Sequence, residues 1–208
     1  MVVCAAARFV LPALPTARLI RPVNKEALRA EMKVRLLAVS AQSRRAASQH
    51  ICQAIQHTRA WQEAALVCAF LPLASEPQIS PLWAAEPGHA FCFPRVLGDE
   101  VELIRITDCA HLAAADWRLA TFPEAPVVAP ESVDLILVPG IAFTRDGHRL
   151  GRGGGYYDRL LACLPASTVK LGVCFDHQLL PDLPTEPHDM RVDAVVTGTS
   201  PTNPDPAR

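Results

Sequence analysis

Between Leu150 and Asp158 the chain reads Leu-Gly-Arg-Gly-Gly-Gly-Tyr-Tyr-Asp, four glycines in five residues with a guanidinium among them and a carboxylate close behind. Glycine lacks a Cβ, so such a loop reaches positive φ and turns its amides toward an anion. From Tyr157 to Leu164 the apolar spacing predicts a helix that stops at Pro165. A loop that opens a helix adds unpaired N–H groups and a positive dipole end, a natural place for phosphate. Gly151, Gly153, Gly154 and Gly155 with Arg152 therefore read as a phosphate cradle, the alternative being a tight strand-to-helix connection. A Walker A loop would end in Gly-Lys-Ser/Thr, and a dinucleotide fingerprint would need glycine at Tyr156 directly after a strand. Here the expected strand Asp134–Val138 is separated from the glycines by Pro139 to Leu150, in which Asp146-Gly147 predicts a hairpin turn. That hairpin sets Arg149 beside the glycines as a second guanidinium.

Other residues gain meaning only in combination. Lys25 and Arg29 lie one helical turn apart, where an anion between them would relieve their repulsion; alone, such a pair is a solvated basic face. Asp158 falls in the first turn of its helix, which the dipole favours without any function. Asp189 sits in a loop marked by Pro184 and Pro187. Hard carboxylate oxygens suit Mg²⁺, which takes one or two of them plus phosphate oxygens and water. Tyr156 and Tyr157 flank the loop as a flat wall or as core. His148 and His177 have no partner pattern. Seven cysteines are scattered singly, without a Cys-x-x-Cys pair, and read as free thiols in a reducing compartment with no catalytic role.

The elements that must position these residues are legible as alternating short apolar runs and helices. Asn24 caps a helix to about Ser40 with Leu28, Met32, Leu36 and Val39 on one face, and a second helix is expected from Arg45 to Thr58. Strands are expected at Ala65–Phe70, Ala90–Phe93, Val101–Ile106, Leu135–Val138, Val169–Cys174 and Ala194–Val196. The pattern predicts an α/β fold: a single domain with a mostly parallel sheet and helices on both faces, a Rossmann-like three-layer arrangement. Such sheets bind ligands beyond the carboxyl ends of their strands, where the glycine loop lies. At 208 residues one such domain is accommodated. The domain is expected over 24–198, with 1–23 and 199–208 as disordered extensions. A net charge of −1 gives no case for a nucleic-acid or membrane-surface protein. Residues 1–23 hold three arginines and no acid, the composition of a mitochondrial presequence or of a short extension, while the domain itself is expected in the cytoplasm.

Val138–Phe143 with Gly147–Asp158 resembles the signature of the 5-formyltetrahydrofolate cyclo-ligase, or methenyltetrahydrofolate synthetase, family. Further matches lie at Lys25–Arg29, Leu71–Glu76, Phe93–Arg95 and His188–Asp193. The resemblance implies an ATP- and Mg²⁺-dependent cyclisation of 5-formyltetrahydrofolate to 5,10-methenyltetrahydrofolate with release of ADP and phosphate. It also implies residue roles. Arg149 and Arg152 are catalytic; ATP is held by Lys25, Arg29, Arg149, Gly151, Arg152, Gly153, Gly154, Gly155, Tyr156 and Tyr157. Leu71, Glu76, Arg152 and Tyr156 bind the folate, the Glu76 carboxylate accepting paired pterin N–H bonds, and Asp158 and Asp189 hold Mg²⁺. Gln78 and Ile79 stand where an acid and a threonine are more typical, and Ala125 where proline is. The expected partners are small molecules, without nucleic acid or membrane, and the expected state is a monomer. Two rival readings use the same fold: a sugar-phosphate isomerase with a general base near the loop, and a non-catalytic nucleotide or RNA binder.

Overall fold

The structure is a computed structural model, described for residues 24–84, 88–98, 100–107, 109, 112 and 122–198. The expectations for residues 1–23 and 199–208 lie outside the described residues. In chain order the elements are α1 (Lys25–Leu37), α2 (Ala41–Gln56), α3 (Arg59–Glu63), β1 (Leu66–Cys68), α4 (Pro81–Ala84), β2 (Ala90–Leu97), β3 (Glu100–Arg105) and β4 (Val127–Val128). There follow β5 (Leu135–Pro139), β6 (Ala142–Phe143), β7 (Arg149–Leu150), α5 (Tyr156–Cys163), β8 (Val169–Val173) and β9 (Ala194–Val196).

Seven strands form one sheet in the order β4-β3-β2-β1-β5-β8-β9. The pairs β2–β1, β1–β5, β5–β8 and β8–β9 are parallel. The expected parallel sheet thus holds for its centre and one side. At the other edge β3 runs antiparallel to β2, with Leu97 opposite Glu100 across a turn at Gly98, φ 61°. So short a connection has no room for the crossover a parallel pair needs.

Alternate residues of β5 face opposite ways. Leu135 and Leu137 join a core with Ile51 and Ile55 of α2, Trp61 of α3 and Trp83 of α4. Ile136 and Val138 join a second core with Leu160 and Leu161 of α5. Helices therefore cover both faces, as expected. A third, smaller cluster seats α1: Leu28 and Met32 pack with Ala142, Leu150 and Leu183.

Helix ends explain the boundary differences. Asn24 caps α1 as expected, its side chain accepting from Ala27 N. Ser40, expected to end α1, instead caps α2 by accepting from Ser43 N, so α1 stops at Leu37 and α2 begins at Ala41. Asp146-Gly147 forms the expected turn, with Gly147 at φ 89°, and β6 and β7 pair as its hairpin. A Cβ on Gly147 would overlap the Val192 carbonyl oxygen, so both the turn and this close approach require glycine.

Candidate active site

Strand β1 has β2 on one side and β5 on the other, so the chain order reverses between β1 and β5. Such a switch point leaves a crevice beyond the carboxyl ends of the two strands. The turn after β1 carries Leu71 and Glu76, and the hairpin and glycine loop follow β5. Between them lies a cleft of about 590 Å³. Lys25, Arg29, Leu71, Glu76, Arg149, Gly151–Asp158 and Asp189 all line it, so the residues singled out in the sequence come together. Phe70, Phe93, Pro94, Val96 and Val101 add an apolar wall. The volume suits one small-molecule ligand or more, and a mostly apolar wall with a few polar groups is what such ligands require.

The glycine loop takes the positive φ that its composition predicts. Gly153 and Gly155 have φ of 103° and 65°, left-handed values that side chains rarely adopt. Gly155 caps α5 without a side-chain hydrogen bond, leaving amides at the N-terminus of α5 available to a ligand. Arg29 Nε donates to the Gly151 carbonyl at 2.9 Å, which binds α1 to the loop. Arg159, one turn into α5, lies over the Tyr156 ring at 5.1 Å.

Arg149 stands beside the glycines, its Nη1 2.8 Å from where a Gly151 Cβ would be. Its side chain is 3% exposed and its Nη2 donates to Asp158 Oδ1 at 2.6 Å. Its Nε is buried without a hydrogen-bond partner among the described residues. A buried orphan donor in a cationic loop is what an anion would satisfy. Asp158 Oδ1 also accepts from Met190 N, so the aspartate joins the glycine loop to the 186–190 loop.

Lys25 Nζ donates to Asp189 at 2.7 Å and to Glu186 at 2.8 Å. Burial opposes the lysine charge, but these two carboxylates outweigh it and raise its pKa above the ordinary value. Burial likewise opposes the Asp189 charge, and the Lys25 and Glu186 N–H hydrogen bonds overcome it, holding the carboxyl below its usual range. Glu186 was missed in the sequence. It is an ordinary exposed loop acid until the fold brings Lys25 to it from 161 residues away. Glu186, His188 and Asp189 gather their ligand atoms within 4.8 Å.

Glu76 departs from the ordinary fate of a turn glutamate: it is buried. Its Oε2 accepts from Leu73 N, and its Oε1 accepts from Arg152. Burial pushes the Tyr157 hydroxyl well above its usual pKa, and nearby Cys68 and Glu76 push it further, so it stays protonated. Burial also raises Cys52 to about 11, and Cys68 and Cys174 upward as well, which makes all three poor nucleophiles.

Fold and site together define a single-domain α/β enzyme with a glycine loop and two carboxylate–cation pairs, Arg149–Asp158 and Lys25–Asp189, lining one cleft at the sheet's switch point. The chain belongs to the 5-formyltetrahydrofolate cyclo-ligase family, whose sequence model matches residues 21–198. It is 32% identical over 192 residues to the 5-formyltetrahydrofolate cyclo-ligase of Mus musculus, covering 85% of this chain and 95% of that one. An Arabidopsis thaliana relative named as a mitochondrial 5-formyltetrahydrofolate cyclo-ligase is 40% identical over 79 residues, 33% of this chain and 28% of that one. The 5,10-methenyltetrahydrofolate synthetase of Aquifex aeolicus superposes with a TM-score of 0.72 at 30% identity, covering 85% and 91% of the two chains. The protein of the same name from Mycoplasma pneumoniae shares the fold, with a TM-score of 0.68 at 23% identity over 84% and 99%. This chain is thus an enzyme of the cyclo-ligase type.

Proposed function

We propose that the enzyme cyclises 5-formyltetrahydrofolate to 5,10-methenyltetrahydrofolate, converting ATP to ADP and phosphate. The observation that carries this reading is the meeting, in one cleft, of a glycine cradle with four basic side chains and an apolar wall beside a buried carboxylate. Anion binding and heterocycle binding thereby share one space.

The chemistry needs little covalent work from the protein. A formamide carbon is a poor electrophile and its oxygen a poor leaving group. Attack of that oxygen on the γ-phosphorus forms a new O–P bond and breaks the bond to ADP. N10 of the same molecule then attacks the carbon, its proton leaves, and the C–O bond breaks to release phosphate. Positioning and charge neutralisation are the tasks left to the enzyme. Arg149, Arg152, Lys25, Arg29 and the amides of Gly151, Gly153, Gly154 and Gly155 neutralise and orient the phosphates. Leu71 supplies apolar surface, Tyr156 and Tyr157 supply flat ring surface, and Glu76 accepts hydrogen bonds from the heterocycle. Asp158 and Asp189 fit Mg²⁺ by their hard oxygen donors and would hold it. When bound, the ion offsets phosphate charge. We read the site as that of a monomer in the cytoplasm, and a reporter fused behind residues 1–23 tests the mitochondrial alternative.

The test is a turnover assay of the purified chain with 5-formyltetrahydrofolate, ATP and Mg²⁺, following the methenyl chromophore and ADP. One ADP per methenyl product is expected. Turnover of sugar phosphates without ATP would favour an isomerase, and nucleotide binding with no product would leave a binding protein.

A further inference from the structure

We infer that Glu76 is a positioning residue for Arg152, holding that guanidinium away from the nucleotide until a folate takes over the carboxylate. The inference deepens the ATP-dependent reading above and rests on it. Arg152 interrupts the glycine cradle, where its charge is of most use to phosphate, yet its side chain is directed to the opposite wall of the cleft. Its Nε and Nη2 both donate to Glu76 Oε1, at 3.2 and 2.9 Å, and Nη2 also donates to Ser75 Oγ at 2.9 Å. The two residues belong to different walls, one after β1 and the other after β5, 76 positions apart.

The environments of the two partners are unequal. The Glu76 side chain is 6% exposed and that of Arg152 is 49% exposed. Glu76 is also fixed by Leu73 N on its second oxygen, so the carboxylate stays and the arginine is the part that can leave. A flat heterocycle presenting paired N–H donors needs the oxygen that Arg152 now occupies. Binding it at Glu76 displaces the guanidinium, which is then free to turn to a phosphate on the adjoining glycines. Arg149 differs: its partner Asp158 lies on the same loop-and-helix unit, so no ligand in the folate-binding part of the cleft releases it.

The consequence concerns water. With ATP bound and no formyl oxygen present, water is the competing acceptor. A guanidinium parked on Glu76 leaves the transferring phosphoryl group short of one charge, which slows that hydrolysis. Folate binding then completes the site, a specificity device in which the correct substrate assembles the catalytic groups.

The test is ATP titration by calorimetry, in Mg²⁺ and without folate, on the unmodified chain, Glu76→Gln, Glu76→Asp and Glu76→Gln with Arg152→Ala. Folate-independent ADP release is measured on the same samples. Glu76→Gln is expected to bind ATP at least threefold more tightly and to release ADP several-fold faster, with both gains lost when Arg152 is also replaced. Glu76→Asp keeps the charge but shortens the reach, and is expected to show the same gains if the Gln variant does not fold. ATP binding by the unmodified chain with no gain in either folded variant overturns the inference and leaves the proposed function standing. No ATP binding by the unmodified chain overturns both.

Discussion

Arg149 and Asp158 show how a residue pair serves two ends at once. A guanidinium this buried is costly unless a carboxylate stays beside it. Asp158 supplies that charge and also takes Met190 N, so it is a structural joint as well as a candidate metal ligand. Asp158→Asn is therefore expected to abolish most turnover and to lower stability by about 1–3 kcal/mol, since the amide leaves Arg149 without its counter-charge. Thermal melts beside turnover assays check this; an unchanged melt would make the aspartate a ligand alone. Lys25 and Asp189 form the second pair, and its pH dependence has two limits. Asp189 titrates below its usual value in the folded state, so its contribution is complete above about pH 4 and is lost as pH falls through that lowered value. Lys25 titrates above its usual value, so its contribution is complete below about pH 10.4 and is lost as pH rises through the raised one. The difference in melting temperature between the unmodified chain and Lys25→Met is expected to be larger between these limits than outside them. A difference that varied across neutral pH would point to another titrating group.

At the scale of elements, the glycine loop and α5 make separable demands. Gly153 needs its φ of 103°, so Gly153→Ala is expected to lower stability by about 1–3 kcal/mol even without ligand. Gly154 has no positive φ; a Cβ there would meet the Tyr156 ring at 2.7 and 2.9 Å. That ring is a side chain at the cleft surface and can move. Gly154→Ala is thus expected to melt near the unmodified protein while binding ATP more weakly, because the displaced ring and the new methyl crowd the cradle. Melts and ATP titrations of the two variants separate the causes. This loop was legible in the sequence because glycine is a local signal, and so were the central strands, whose apolar runs need no partner to be recognised. The rest was less visible. Ser40 suits the end of one helix or the cap of the next, and only the packing of α2 decides. β4 has two residues, and its pairing with β3 cannot be read from Val127-Val128 alone. Glu186 and the Glu76–Arg152 pair depend on contacts between distant segments, which no periodicity records.

For the molecule as a whole, the cleft is built from parts of unequal anchorage. Its floor is the switch point of a sheet with cores on both faces, while α1, which brings Lys25 and Arg29, rests on a smaller cluster of its own. Met32 is the fully buried centre of that seat, and around it α1 is tied by Arg29 to Gly151 and by Lys25 to Glu186 and Asp189. Each polar tie ends on a loop of the candidate site, so the docking of α1 and the shape of the cleft are one equilibrium. Met32→Ala removes packing without touching any group proposed to meet ligand. It is expected to cost about 2–5 kcal/mol where α1 is docked, with much of that loss confined to local opening of α1. Hydrogen exchange measures this directly: amides of α1 should lose protection before those of β1, β5 and β8. ATP affinity should fall in parallel, and saturating ATP should restore the protection, since a ligand that binds only the docked state stabilises it by mass action. Uniform loss of protection across sheet and helix would mean instead that α1 and the sheet unfold as one unit, and that nucleotide binding draws on the stability of the entire domain.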